Sequence, residues 1–304
     1  MRFRFQSSAW KPSEPNILRG ILLMCVTAII MFPLLNATVK FLVTDFNVWQ
    51  IVWVRSIAHF GVMAIFFMPK MGPIGLFRTA HPIYQGLRSV FQLLAMLLYF
   101  SALEKISLPT VTAIGFTAPL MVVAFSVPIL GEHVGFRRWG AVIIGFIGAL
   151  IIIRPGSDLT DWAVFYVLAG AFCYAVYQAL TRKVSEKDAP GITAIYTVLL
   201  ALIVSSIFAP FDLNMPMNLE HWLAFIGLGL FGAIGHFFLI KAYSLAEASI
   251  ISPFDYGQLI GAAIIGYMVW GDFPDLWTWI GAGILILSGI YITRYEGINK
   301  KDLK

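Results

Sequence analysis

Four residues near the C-terminal third of the chain, Ser252, Asp255, Tyr256 and Leu259, are spaced i, i+3, i+4 and i+7, so on a helix they share one face. They lie inside an apolar run, AEASIISPFDYGQLIGAAIIGYMVW. A carboxylate in such a run is expensive, roughly 2.5–3.5 kcal/mol at the centre of a bilayer, and usually faces a cavity or a partner. Asp255 is therefore read as a contact for a cationic group or a proton, with Tyr256, Ser252 and Gln258 beside it. The competing reading is a strut that pairs Asp255 permanently with Arg55, Arg88 or Lys241. Pro253 removes a backbone donor at the same point and predicts a bend.

A second polar stripe, Gln85, Arg88, Gln92 and Tyr99, follows the same helical spacing, and an inward-facing stripe in a membrane helix lines a cavity or ties helices together. Arg88 is close enough to the helix end for snorkelling to be the alternative. Arg55 and His59 sit one turn apart on another apolar run, as a cargo contact or an interhelical tie. Tyr174, Tyr177, Gln178 and Thr181 share a face of a further run, either as interfacial anchors or as cavity lining. With Tyr99, Phe116 and Tyr256 they would make an aromatic box, which suits an organic cation or a planar metabolite. Arg55 and Arg88 ask for an anionic group on the same cargo, so both signs together favour a zwitterion. His59 and His236 read as core histidines. Cys25 and Cys173 lie in apolar runs and read as packing, and no metal-ligand spacing occurs.

The elements that must hold these residues follow from composition. Of 304 residues, 59% are hydrophobic and 12% charged, too few charges for a water-facing surface. A membrane helix needs about 20 mainly apolar residues. Ten runs qualify, at about 17–39, 47–68, 81–103, 108–129, 137–153, 161–181, 191–209, 220–243, 248–270 and 276–293. The chain is thus expected to be an all-α integral membrane protein with ten transmembrane helices and a lipid bilayer as its solvent. The first run is long enough to remain in the membrane, so a cleaved signal peptide is not expected. With the N-terminus inside, fifteen Lys and Arg fall on the inner side and Lys40, Lys105 and Arg154 on the outer side. That bias predicts both termini in the cytoplasm and an inner, cytoplasmic membrane location.

The halves superpose at an offset of 140 residues. Gly131-Glu132 falls on Gly271-Asp272, Trp139 on Trp279, Arg154 on Arg294, Ala141 on Gly281 and Gly148 on Ser288. Five helices per half is odd, so the second half is expected to insert inverted, the mark of secondary transporters with a midplane site. The small residues Ala141, Gly145, Ala149, Gly281 and Ser288 predict close helix packing or a dimer contact. Gly227, Gly229 and Gly232 satisfy G-x-G-x-x-G inside a membrane helix, where they serve packing rather than a nucleotide. No G-x-x-x-x-G-K-[ST] occurs, so no cofactor is expected and transport would run on gradients or exchange.

The run ALEKISLPTVTAIGFTAPLMVVAFSVPILGEHVGFRRWGAVIIGFIGALIIIRPG resembles the second half of an EamA domain, and AYSLAEASIISPFDYGQLIGAAIIGYMVWGDFPDLWTWIGAGILILSGIYITR resembles another. Residues 17–294 as a whole resemble the drug/metabolite transporter superfamily, with repeats at 17–154 and 161–294. That resemblance implies two inverted five-helix repeats, a central cavity and alternating access. Arg55 and Arg88 match positions of a subgroup described as carriers of S-adenosylmethionine, amino acids or riboflavin. The expected function is secondary transport of a small polar organic metabolite, zwitterionic or cationic, without enzymatic chemistry. A proton is one option for a coupling ion, with exchange the alternative, no nucleic acid is expected, and the protein is expected to be a monomer or homodimer. A membrane-embedded enzyme would need a dyad or metal cluster that the sequence lacks, and a receptor or scaffold would bind without flux.

Overall fold

A computed structural model describes residues 16–132, 134–153, 162–216 and 218–299. The repeat boundary, Arg154 and the end residues Arg2, Arg4, Lys11, Lys300, Lys301 and Lys304 lie outside them. Among the described residues the chain is entirely helical and forms ten rods. They are α1 Ile17–Leu42, α2 Val48–Met71, α3 Pro82–Lys105, α4 Leu108–Leu130, α5 Phe136–Ile153, α6 Trp162–Val184, α7 Pro190–Phe208, α8 Leu219–Leu245, α9 248–270 and α10 Leu276–Asn299. Seven of these, α1 to α4 and α6 to α8, are long and apolar enough to cross a membrane. α5 and α10 carry the shorter apolar helices Trp139–Ile152 and Leu276–Ser288.

The helix ends follow local chemistry. Asn47 caps α2 through Trp49 N–H at 2.8 Å, and Asn218 caps α8 through His221 N–H at 2.9 Å. Proline opens α3 and α7, where a missing N–H costs nothing. Gly131 and Gly271 end α4 and α9 with φ of 71° and 72°, a left-handed conformation that favours glycine. The residue after each closes the same turn: Glu132 N–H reaches Ser126 O and Asp272 N–H reaches Gly266 O, both at 3.1 Å.

Those glycines are 140 residues apart, and the offset holds throughout the packing. α3 lies on α6 as α8 lies on α1, α2 on α8 as α7 on α3, and α4 on α6 as α9 on α1. α2 meets α7, α4 meets α9 and α5 meets α10. A fold whose contacts survive exchange of its halves has a pseudo-two-fold axis. α4 and α9 run antiparallel across it, since Ala248 N–H donates to Glu132 at 3.3 Å while Gly266 packs on Pro109. α5 and α10 do the same. A Cβ on Gly148 would stand 2.8 Å from Gly281 O, and Ser288 donates to Ala141 O at 2.5 Å. These are the two repeat-equivalent versions of one contact, so the small residues pack the bundle.

Three rods are irregular where the interior is polar. α1 contains a π turn at Thr27–Met31, with Thr27 donating to Leu23 O at 2.9 Å. This shifts the register just before Phe32 and Asn36. α4 breaks at Phe116, and α9 tightens to a 3-10 helix over Ser252–Gly257. Residues 252–257 are the repeat equivalents of 112–117. The bend expected at Pro253 is thus a 3-10 segment, and its repeat counterpart holds the break at Phe116.

Candidate functional site

The helices enclose a central cavity of about 100 Å³. Of the nine residues expected to bind substrate, six line it: Arg55, Gln92, Tyr99, Tyr174, Asp255 and Gln258. Three do not. Ser252 is fully buried in the first turn of the 3-10 segment. Tyr256 is turned into the α4–α9 contact, its ring edge-to-face with Phe116 at 5.1 Å.

Arg88 is the clearest departure from expectation. Its guanidinium spends all five donors inside the protein. Nε donates to Thr181 at 2.7 Å, Nη1 to Gln85 at 3.3 Å and to Thr193 O at 3.0 Å. Nη2 donates to Tyr177 at 3.1 Å and Thr197 at 2.6 Å. The charge also lies 4.6 Å from the Tyr177 ring centre. With 0% exposure it does not snorkel, and it has nothing left for a cargo. It ties α3 to α6 and α7. The network continues through Gln85 to Asp188, which also accepts from Ala80 N–H at 2.7 Å.

Asp255 is held differently. Gln178 of α6 donates to Oδ2 at 2.7 Å, and Gln258 donates to Oδ1 at 3.0 Å. Tyr243 in turn donates to the carbonyl of Gln178. Among the described residues no Lys or Arg forms an ion pair with Asp255, so the expected strut to Arg55, Arg88 or Lys241 is not made. The carboxylate is oriented by amides and borders the cavity.

Arg55 is 1% exposed, and its Nε has no partner. One terminal nitrogen contacts Met96 Sδ, a weak acceptor. The side chain lies over Gly232 of α8, where a Cβ would stand 3.2 Å from Nε. The G-x-G-x-x-G therefore admits α2, as packing. Gln92 Oε1 and the Tyr174 hydroxyl are also buried without partners. Buried polar groups in native proteins are normally bonded, so these three side chains leave the cavity with hydrogen-bonding capacity that the protein itself does not use.

Sequence reasoning undervalued two lining residues. Asn36 is not among the residues singled out above, and His236 is read there as a core histidine. The signal available for both was a polar side chain within an apolar run. Among the described residues no cluster of three His, Cys, Asp or Glu could hold a metal.

An all-helical bundle with inverted repeats around a partly unsatisfied polar cavity defines an integral membrane transporter of small metabolites. The chain belongs to the EamA-like transporter family, whose description matches residues 18–154 and again 161–295. It is 30% identical to a riboflavin transporter of Vibrio cholerae over 92% of this chain and 94% of that one. It is 28% identical to an S-adenosylmethionine uptake transporter of Rickettsia prowazekii over 72% of this chain and 74% of that one. A pseudopaline exporter of Pseudomonas aeruginosa is 25% identical over 92% and 98%. A solved crystal structure superposes with a TM-score of 0.69 at 18% identity, over 91% of this chain and 98% of its own, and shares the fold.

Proposed function

We propose that the protein is a secondary transporter of a zwitterionic organic metabolite with a planar or aromatic body. One observation carries this reading: Arg55 and Asp255 share a single cavity with no ion pair between them. Two buried charges of opposite sign are expensive until something neutralises both. A cargo with an amine-like end at Asp255 and an acidic end at Arg55 does so, with Tyr99 and Tyr174 as aromatic walls. All ten rods cross a cytoplasmic-type membrane with both termini inside, as the basic residues favour. The helices of the two repeats open the cavity to each side in turn, driven by a gradient or by exchange, with a proton the candidate coupling ion.

A neutral planar cargo of the flavin type is the second reading. The amides of Asn36, Gln92 and Gln258 in the same lining favour it, as does the similarity to a riboflavin transporter.

The test is a thermal-shift screen of purified protein against matched amines, zwitterions, carboxylates, nucleosides, S-adenosylmethionine and riboflavin. Flux of the best binder is then followed in proteoliposomes. A ligand at 100 times its Kd raises stability by about 2.7 kcal/mol. Stabilisation by zwitterions but not by riboflavin supports the first reading, and the reverse supports the second. Binding without flux overturns both.

A further inference from the structure

His236 lines the cavity beside Arg55, on α8. Its protonation is readable from its partners. Arg88 can only donate, so in the Arg88–Tyr177 bond the Tyr177 hydroxyl is the acceptor. A phenol has one proton. We assign it to the second Tyr177 hydroxyl bond, 3.1 Å to His236 Nδ1, because the reverse direction would leave the buried phenol proton with no acceptor among the described residues. Nδ1 therefore accepts. In the neutral ring the proton is on Nε2, which has no protein partner among the described residues. His59 does not take it, since the two rings lie 5.9 Å apart with no hydrogen bond between them.

Two lining residues thus bring donors that meet no protein oxygen, the Arg55 guanidinium, held only by Met96 Sδ, and His236 Nε2–H, and the neutral Oε1 of Gln92 lies unpaired in the same lining. Among the described lining residues, the opposite sense, a carboxylate, is supplied by Asp255. The asymmetry is specific to one repeat. At an offset of 140, His236 corresponds to Met96 and Arg55 to Ile195.

We infer that Arg55 and His236 form the subsite for the carboxylate of the cargo, and that Arg88, through Tyr177, fixes His236 as a donor toward it. Arg88 and Tyr177 are positioning residues that never touch the cargo. The inference rests on the zwitterion reading for what is carried, but the subsite itself requires only an anionic acceptor. Were the relay absent, His236 could turn an acceptor toward the cavity and repel the same group.

The experiment uses purified full-length protein labelled with 15N-histidine, with benzoate as probe and benzyl alcohol and benzylamine as controls. His236 signals are assigned by their loss in His236→Gln. The expected native spectrum has Nδ1 unprotonated and Nε2 protonated. Benzoate should shift the Nε2 signal, and the neutral and cationic controls should not. Tyr177→Phe leaves Arg88 four of its five bonds, so it should fold. It should mix the tautomers and weaken benzoate about tenfold, the order expected for one hydrogen bond to a charged group. His236→Gln, which keeps an N–H near Nε2, should retain benzoate binding, and His236→Ala should lose it.

A native Nδ1–H tautomer overturns the relay. Benzoate binding that ignores His236→Ala, or no benzoate shift at all, overturns the subsite. Benzoate binding with no zwitterion flux would leave the subsite standing and remove only the zwitterion reading.

Discussion

Phe116 and Tyr256 occupy equivalent positions in the two repeats, 140 residues apart, and their rings meet edge-to-face at 5.1 Å. Two equivalent residues can touch only on the axis that relates them. The axis therefore runs through the irregular turns of α4 and α9, beside the cavity. The chemistry next to it is not symmetric. Asp255 corresponds to Gly115, Gln258 to Ala118, Tyr174 to Leu34 and His236 to Met96. A two-fold scaffold thus carries these polar side chains in one copy only, the asymmetry that the proposed zwitterionic cargo requires.

The axial contact makes Tyr256 a packing residue. Tyr256→Phe should leave cargo affinity within about twofold, because the ring contact survives. Tyr256→Ala should lower the melting temperature strongly, with a loss of about 3–5 kcal/mol for a deleted buried aromatic. Thermal melts and binding of the best screened ligand, measured on both variants, check this. A selective loss of binding in Tyr256→Phe would return the hydroxyl to the site.

Asp255→Asn separates charge from shape. The amide fills the same space; Gln178 still donates to its carbonyl, and Gln258, turned over by an amide flip, accepts from its N–H. The melting temperature should hold, while affinity for an amine-bearing zwitterion should fall by at least about tenfold, the worth of a hydrogen bond to a charged group. Calorimetric titration of the variant, with a matched neutral analogue as control, gives the answer. Normal transport of the zwitterion by this variant would remove Asp255 from the site.

The bundle was legible because membrane helices announce themselves by length, and all ten expected runs end within a few residues of the observed rods. Gly131 and Gly271 were legible as a repeat because left-handed caps constrain residue type. Asp255 was legible because a carboxylate in an apolar run is rare. Arg88 was misread for a physical reason. Spacing places a side chain on an inward face but does not say whether that face meets a cavity or another helix. The partners that saturate Arg88, at Tyr177, Thr181, Thr193 and Thr197, are about 90–110 residues away, a long-range pairing that helical periodicity cannot encode. Tyr256 was misplaced for a related reason, because the 3-10 turn changes which positions share a face.

The α5–α10 contact depends on the absence of side chains. An added Cβ at Gly281 would stand 2.5 Å from Gly148 O, a backbone atom that cannot rotate away. Gly283, two residues on, has open space at the same position. Gly281→Ala should cost about 1–3 kcal/mol through overpacking, and Gly283→Ala should cost nothing measurable. Parallel melts in detergent test the pair. Equal stability of the two variants would mean that the helices are not held at this distance.

The two buried arginines should respond in opposite ways to the same substitution. Arg88→Met strands four side-chain partners and a backbone carbonyl around a gap. Breaking one member of a saturated buried network costs about 3–5 kcal/mol, so this variant should lose folded yield and melting temperature before any transport is measured. Arg55→Met removes a charge that has a sulfur and no carboxylate to balance it. Uncompensated buried charge is itself destabilising, so this variant should melt at or above the native temperature. Its defect should appear instead in cargo selection, as lost affinity for the acidic end and retained affinity for an amine at Asp255. Melts and a paired acid-versus-amine titration on both variants decide the matter. If Arg55→Met unfolds and Arg88→Met does not, the structural tie is Arg55 and the cargo contact is Arg88.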